Sequence, residues 1–159
     1  MNMIAIDPGT HKSAILVYDG TRPYAPEIND NEEVLYDIDH YPDADMIAIE
    51  MIACYGMAVG AETFETCVWI GRFVERFRET HDGTISLVKR PEVKLHLCRH
   101  PRAKDANVRQ ALLDLYGGKE AAVGRKATPG PLYDIKSHLW AALGVAHTAW
   151  HRDVMGKEI

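Results

Sequence analysis

Apolar residues come in short runs that end abruptly. Met3-Ile4-Ala5-Ile6 leads straight into Asp7, and Pro8-Gly9 turns the chain at once. A short run rich in branched residues and bounded by turn formers reads as a buried strand. Ser13 to Tyr18 is a second run, joined to the first by a connection short enough for a hairpin. Residues 24–33 are polar and carry Pro26, Asn29, Asp30 and Asn31, so a loop is expected there. Val34-Leu35-Tyr36 would then be a third strand completing an antiparallel meander. Met46-Ile47-Ala48-Ile49 repeats the opening pattern and again ends in an acid, Glu50.

The second half changes period. Between Glu62 and Thr80, Phe64, Cys67, Val68, Ile70, Gly71, Val74 and Phe77 recur at helical spacing, which predicts an amphipathic helix with its stripe in the core. His81-Asp82-Gly83 ends it, and Ile85 to Val88 is another short strand. Strand, helix, strand at this spacing predicts a parallel crossover. Pro91 opens a short helix carrying Val93, Leu95 and Leu97. Asp105 is the expected N-cap of a helix over Ala106 to Tyr116, with Val108, Leu112 and Leu115 inward. Gly117 to Pro131 has no apolar period and reads as a mobile loop. The last helix is expected from Leu132 to about His151.

Composition adds limits. A chain of 159 residues with 47% apolar and 26% charged residues fits one globular domain, residues 1–159, with a real core. No apolar run is long enough to span a membrane, and Asp7 breaks any signal-peptide layout, so a cytoplasmic protein is expected. Cys54, Cys67 and Cys98 form no CxxC pair and read as reduced thiols. None sits at a zinc-ligand spacing from His96 or His100. Net charge is −5, yet Lys89 to Lys126 holds ten Lys/Arg against four acids, a local +6. Such asymmetry is the footprint of a polyanion partner.

Two buried strands that each deliver a carboxylate at the same end supply what a divalent-metal site needs. Mg²⁺ prefers carboxylates plus waters, and a pair of such ions activates water and stabilises the leaving oxygen of a phosphodiester. Asp7 and Glu50 are the first two candidates. Asp134 and His138, four apart on the expected last helix, would share one face and supply further ligands.

These residues carry a resemblance. IAIDPGTHKSAILVYD, IAIEMIACYG, KDANVRQALLDLYG and SHLWAALGVA follow one another as in RuvC-type Holliday-junction resolvases, the last two segments most like the phage-borne branch. The resemblance covers nearly the whole chain. It implies an α/β, RNase H-like fold, a mixed five-stranded sheet flanked by helices. It also implies a homodimer that cuts four-way or branched DNA in host cytoplasm with Mg²⁺ (or Mn²⁺). Neither a membrane nor a nucleotide cofactor is implied. Asp7 and Glu50 take the positions of the first two ligands, and His138 a last-helix position that holds Asp or His. One turn later the family has a further Asp, where this chain has Ala141. Asp134 is the first candidate to replace it and Asp105 the second.

In that reading Asp7 anchors the ions. Glu50 holds one of them and orients water, and His138 ligates through a neutral nitrogen or acts as a base. In-line attack leaves a 5′-phosphate and a 3′-hydroxyl. Tyr55 resembles an aromatic inserted at the junction centre, and Lys89, Arg90, Lys94, Arg99, Arg102 and Lys104 are expected on phosphates. The 62–80 helix, with Phe64, Trp69, Phe73 and Phe77, is the expected dimer face. Three rivals stand beside this reading. One is a catalytically silent nucleic-acid-binding module, which Ala141 permits, and another is a nuclease of branched DNA more broadly, or of RNA. The third is an actin-like or sugar kinase, which needs two such domains where this chain has residues for one.

Overall fold

A computed structural model describes residues 1–156. Five strands form one sheet: β1 (Met3–Asp7), β2 (Lys12–Tyr18), β3 (Pro23–Asp30), β4 (Met46–Met51) and β5 (Thr84–Lys89). Their order is β3-β2-β1-β4-β5. The first three pair antiparallel, whereas β1 with β4 and β4 with β5 run parallel. Successive side chains of a strand face opposite ways, and the two layers follow that parity. Ile4, Ile6, Ile47 and Ile49 pack with helices α1 (Asn31–Asp39) and α2 (Ala61–Thr80), around Val34, Ile38, Ile70, Phe73 and Phe77. Met3, Ala5, Ala14, Met46 and Ala48 face the other layer. That layer holds α3 (Arg90–Cys98), α4 (Asp105–Leu115) and α6 (Leu139–Ala149), which continues into a π-helical turn at Trp150–Val154. Ala5, Ala14 and Ala48 on the sheet share one buried cluster with Ala142, Ala146 and Ala149 on α6, and this helix packs on β1.

Several elements depart from the expectation. Val34-Leu35-Tyr36 lies in α1, because Val34 and Ile38, one turn apart, are its buried apolar residues. The third strand is instead the segment read as a loop. Its Pro23 and Pro26 are accommodated because β3 is an edge strand, where a missing donor costs no ladder bond. On α2 the buried stripe is Thr66, Ile70, Phe73 and Phe77, while Phe64 and Val68 stand exposed. On α4 it is Leu113, not Leu115, that turns inward. Lys104 rather than Asp105 occupies the cap position, with the Asn107 side chain accepting the Lys104 N–H. The 117–131 segment folds into a short helix, α5 (Lys119–Ala122), and a small hairpin of β6 (Gly124–Arg125) and β7 (Thr128–Pro129), anchored by buried Ala122. The last helix begins only at Leu139. Residues 131–138 are turns, with Leu132 and Ile135 buried and Ser137 at φ 51°. No described helix is long and apolar enough to cross a membrane.

A buried polar network fixes the turn that follows Asp7. Ser13 Oγ donates to Asn31 Oδ1 at 2.5 Å and accepts from the Gly9 N–H at 3.1 Å. Asn31 Nδ2 donates to the Gly9 carbonyl at 2.8 Å. Gly9 is needed for close approach, since a Cβ there would sit 2.3 Å from the Lys12 carbonyl oxygen. Asn31 and Ser13 are 1% and 2% exposed, so loss of one partner strands the others without water. Asn31→Ala is therefore expected to destabilise the protein by about 1–3 kcal/mol in denaturant unfolding, more than Asn29→Ala on the exposed side.

Candidate active site

Parity and register bring two carboxylates together. Asp7 follows Met3 and Ala5 on the α6 side of β1, and Glu50 follows Met46 and Ala48 on the same side of β4. The strands are in parallel register with Ile6 beside Ile49, so Asp7 and Glu50 come one position beyond that pair. Over them lies the start of α6. His138, immediately before Leu139, places Nδ1 3.1 Å from Asp7 Oδ2. The His138 side chain is 75% exposed against 11% for Asp7, so the site is a buried acid with a histidine on its open side.

The electrostatics are unusual for a surface acid. Burial, then a hydrogen bond and the like charge of Glu50, hold the Asp7 carboxyl well above its ordinary value of 3.8; Arg90 opposes this and Asp105 adds to it. Arg90, expected on phosphate, is engaged within the site. Its guanidinium donates to Glu50 at 3.0 Å and to Asp105 at 2.5 Å. Lys94 Nζ is 3.9 Å from Asp105. Arg90 foremost, then Lys94, hold the Asp105 carboxyl below its usual range.

The structure brings Asp7, Glu50, His138 and Asp105 into one cluster and leaves Asp134 outside it. Asp134 lines recesses with Arg22, Tyr24 and Pro26 at one side and with Glu27, Ile28 and Leu139 at the other. Asp134 and His138 would share a face only on a continuous helix, and the left-handed Ser137 breaks it between the two residues. Asp105, the second candidate to stand in for the acid absent at Ala141, begins α4. What ties it to the site is Arg90, at the start of α3, reaching both carboxylates. Ala141 lies in the first turn of α6, partly exposed, and offers no ligand atom.

An open groove of about 810 Å³ runs past these groups, lined by Gly9, Glu50, Tyr55, Thr66, Arg90, Lys94 and His138. Tyr55 is 70% exposed and sits at φ 44°, followed by Gly56 at φ 80°, so a tight left-handed turn projects the ring into solvent. Lys89, Arg99, Arg102 and Lys104 are exposed along α3 and the loop after it, while Arg90 and Lys94 are half-buried by their acid partners. On α2, Phe73 and Phe77 are fully buried in the core of the chain. Phe64 and Val68 remain open, and Trp69 packs at a tilt against Phe73 with the Arg72 guanidinium over its ring.

No family model matches the chain, and no curated protein sequence matches it. Solved structures do. RuvC from Thermus thermophilus aligns with a TM-score of 0.68 at 21% identity, covering 98% of this chain and 97% of that one. T. thermophilus RuvC in complex with a Holliday junction substrate aligns with a TM-score of 0.69 at 17% identity, over the same shares. The fold is thus that of RuvC: RNase H-like, with a mixed five-stranded sheet flanked by helices.

The raised Asp7 pKa has a consequence for stability without any ion. The folded chain binds the Asp7 proton more tightly than the unfolded chain does, so stability falls as pH rises above 3.8. Asp7→Asn removes that cost. In EDTA at neutral pH the variant is expected to melt several degrees above wild type, where about 1 kcal/mol shifts Tm by roughly 2–4 °C. The gap should close as pH approaches 4. A variant that melts lower at every pH would contradict the electrostatic assignment.

Proposed function

We propose that this chain is a metal-dependent DNA endonuclease that resolves four-way junctions by paired nicks. The observation that carries the reading is the convergence of Asp7, Glu50 and His138 beside a groove that Glu50, His138, Arg90 and Lys94 line. The donor set suits a hard divalent cation such as Mg²⁺ or Mn²⁺. It has carboxylate oxygens on rigid strands, one imidazole and room for water, and burial with the neighbouring Glu50 raises the Asp7 carboxyl above its ordinary value, which added positive charge would offset. When bound, the cation supplies Lewis acidity at the phosphoryl oxygens and acidifies water.

The chain's own groups do the rest. Asp7 and Glu50 are the anchoring carboxylates. Glu50, exposed at 14% of its side chain, also orients the attacking water and accepts hydrogen bonds from it. Arg90 restrains both Glu50 and Asp105, which sets the direction of the Glu50 carboxylate. His138 lies on the solvent side, where it is placed to ligate or to take a proton from water. In-line attack forms the new oxygen–phosphorus bond and breaks the bond to the 3′ oxygen, which leaves as a hydroxyl after taking a proton. The strand ends are then a 5′-phosphate and a 3′-hydroxyl.

Selection of a four-way junction is supported by the fold shared with RuvC, one of whose structures holds a Holliday junction. A junction has approximate two-fold symmetry, so a homodimer would present two such sites in register with it. The exposed part of α2, Phe64 and Val68 beside Trp69, is the apolar surface available for that dimer. Tyr55 projects from the rim of the groove, where its ring can stack on an unpaired base. The second reading, a silent junction-binding module, is favoured by Ala141 in place of an acid.

The deciding assay compares labelled four-way junction, linear duplex and RNA–DNA hybrid, with Mg²⁺ and with EDTA. Symmetric nicks in the junction alone, lost in EDTA, are expected; a shift without cutting would support the silent module. Asp7→Asn and Glu50→Gln should each lower the cutting rate by roughly 10³-fold or more, equivalent to about 4 kcal/mol. Asp105→Asn should cost roughly 10–100-fold through its hold on Arg90, and Asp134→Asn should leave the rate within about twofold of wild type, as surface substitutions usually do. The reverse order for the two aspartates would reassign the missing carboxylate.

A further inference from the structure

A second cluster of ligand-type side chains lies on the same helix layer, away from the carboxylates. His96 on α3, His147 near the end of α6 and His151 in the π-helical turn each offer a ring nitrogen, all within 4.8 Å of one another. His147 lies nine residues beyond His138, about 13 Å along the helix axis. The three rings are mutually packed, with centroids 4.7 to 5.9 Å apart. Two features of the fold build this arrangement. Gly144 lets α3 close onto α6, since a Cβ there would lie 2.9 Å from Val93 Cγ1. The π-helical turn places His151 over His147 and His96, and turns of this kind recur at functional sites. One nitrogen of the set, His147 Nδ1, is buried with no hydrogen-bond partner among the described residues, although buried polar atoms are rarely left so.

We propose that His96, His147 and His151 form a transition-metal site, for Zn²⁺ in the first instance, separate from the carboxylate site. Three imidazoles and no carboxylate are a donor set for Zn²⁺ rather than for Mg²⁺. Burial and the neighbouring imidazoles push His147 down to about 4, and burial likewise lowers His96, so both are neutral and ready to ligate at pH 7. Tetrahedral zinc with bonds near 2.0–2.1 Å needs nitrogens roughly 3.3 Å apart. The three nitrogens, within 4.8 Å of one another, would draw together on binding. The fourth position is left to water. Such an ion would pin the end of α3 to the end of α6, across the helix layer whose other ends carry Arg90 and His138.

The test uses full-length protein free of any histidine tag, stripped with chelator and dialysed against Zn²⁺ with Mg²⁺ in excess. Asp7→Asn/Glu50→Gln protein is run beside wild type to remove the carboxylate site. One equivalent of Zn²⁺ is expected in both, with a rise in melting temperature. Co²⁺ in place of Zn²⁺ should give visible ligand-field absorption of nitrogen-rich tetrahedral coordination. His151→Gln and, separately, His96→Gln should lose that equivalent and the absorption while keeping the far-UV circular dichroism of wild type. Zinc uptake that disappears with Asp7→Asn/Glu50→Gln, persists in His151→Gln, or is absent from wild type would overturn the proposal. If a histidine variant does not fold, wild type against the carboxylate double variant still decides it.

Discussion

The structure depends on the parallel register of β1 against β4. That pairing sets two acids side by side, one step past the last pair of buried isoleucines, on the one face that α6 covers. Like charges at a sheet end, mostly out of water, are unfavourable, and the chain tolerates them only partly compensated. Arg90 reaches Glu50 and His138 reaches Asp7, yet Asp7 still holds its proton well above the usual carboxylate range. Folding energy from the two hydrophobic layers sustains this local cost. A cation at this place would favour the ionised Asp7 that burial and Glu50 disfavour, which links stability to chemistry here.

Everything around the pair serves its placement. Alanines on both the sheet and α6 bring the helix low over β1, so that the residue just before its first turn can touch Asp7. The buried Ser13–Asn31 network and Gly9 hold the turn after Asp7 in one shape. Beyond β5, α3 starts at Arg90 and carries the clamp from Glu50 to Asp105. The same helix ends near His147 and His151, so α3 and α6 span both candidate ion sites.

Much of this was legible in the sequence where it was local. The runs ending in Asp7 and Glu50 announce strands and place the acids at their ends, and the 62–80 period announces α2. Errors arise where a tertiary fact overrides local chemistry. Prolines at 23 and 26 suggested a loop, but an edge strand accepts them. Asp134 and His138 look like neighbours at four residues apart, yet Ser137 takes a left-handed conformation and the helix starts after it. Arg90 looks like a phosphate contact until the fold sets it between two acids. The three histidines carry no signal in spacing, because His96 belongs to another helix, and the approach of α3 to α6 at Gly144 is visible only in three dimensions.

The most direct test of the central claim is the position of a bound divalent ion. Crystals of the protein grown with Mn²⁺ and measured at the manganese absorption edge would locate it by anomalous scattering. The account predicts density between the Asp7 and Glu50 carboxylates, beside the His138 ring, and its absence in Asp7→Asn. Manganese bound elsewhere in wild type, with those two carboxylates bare, would contradict it.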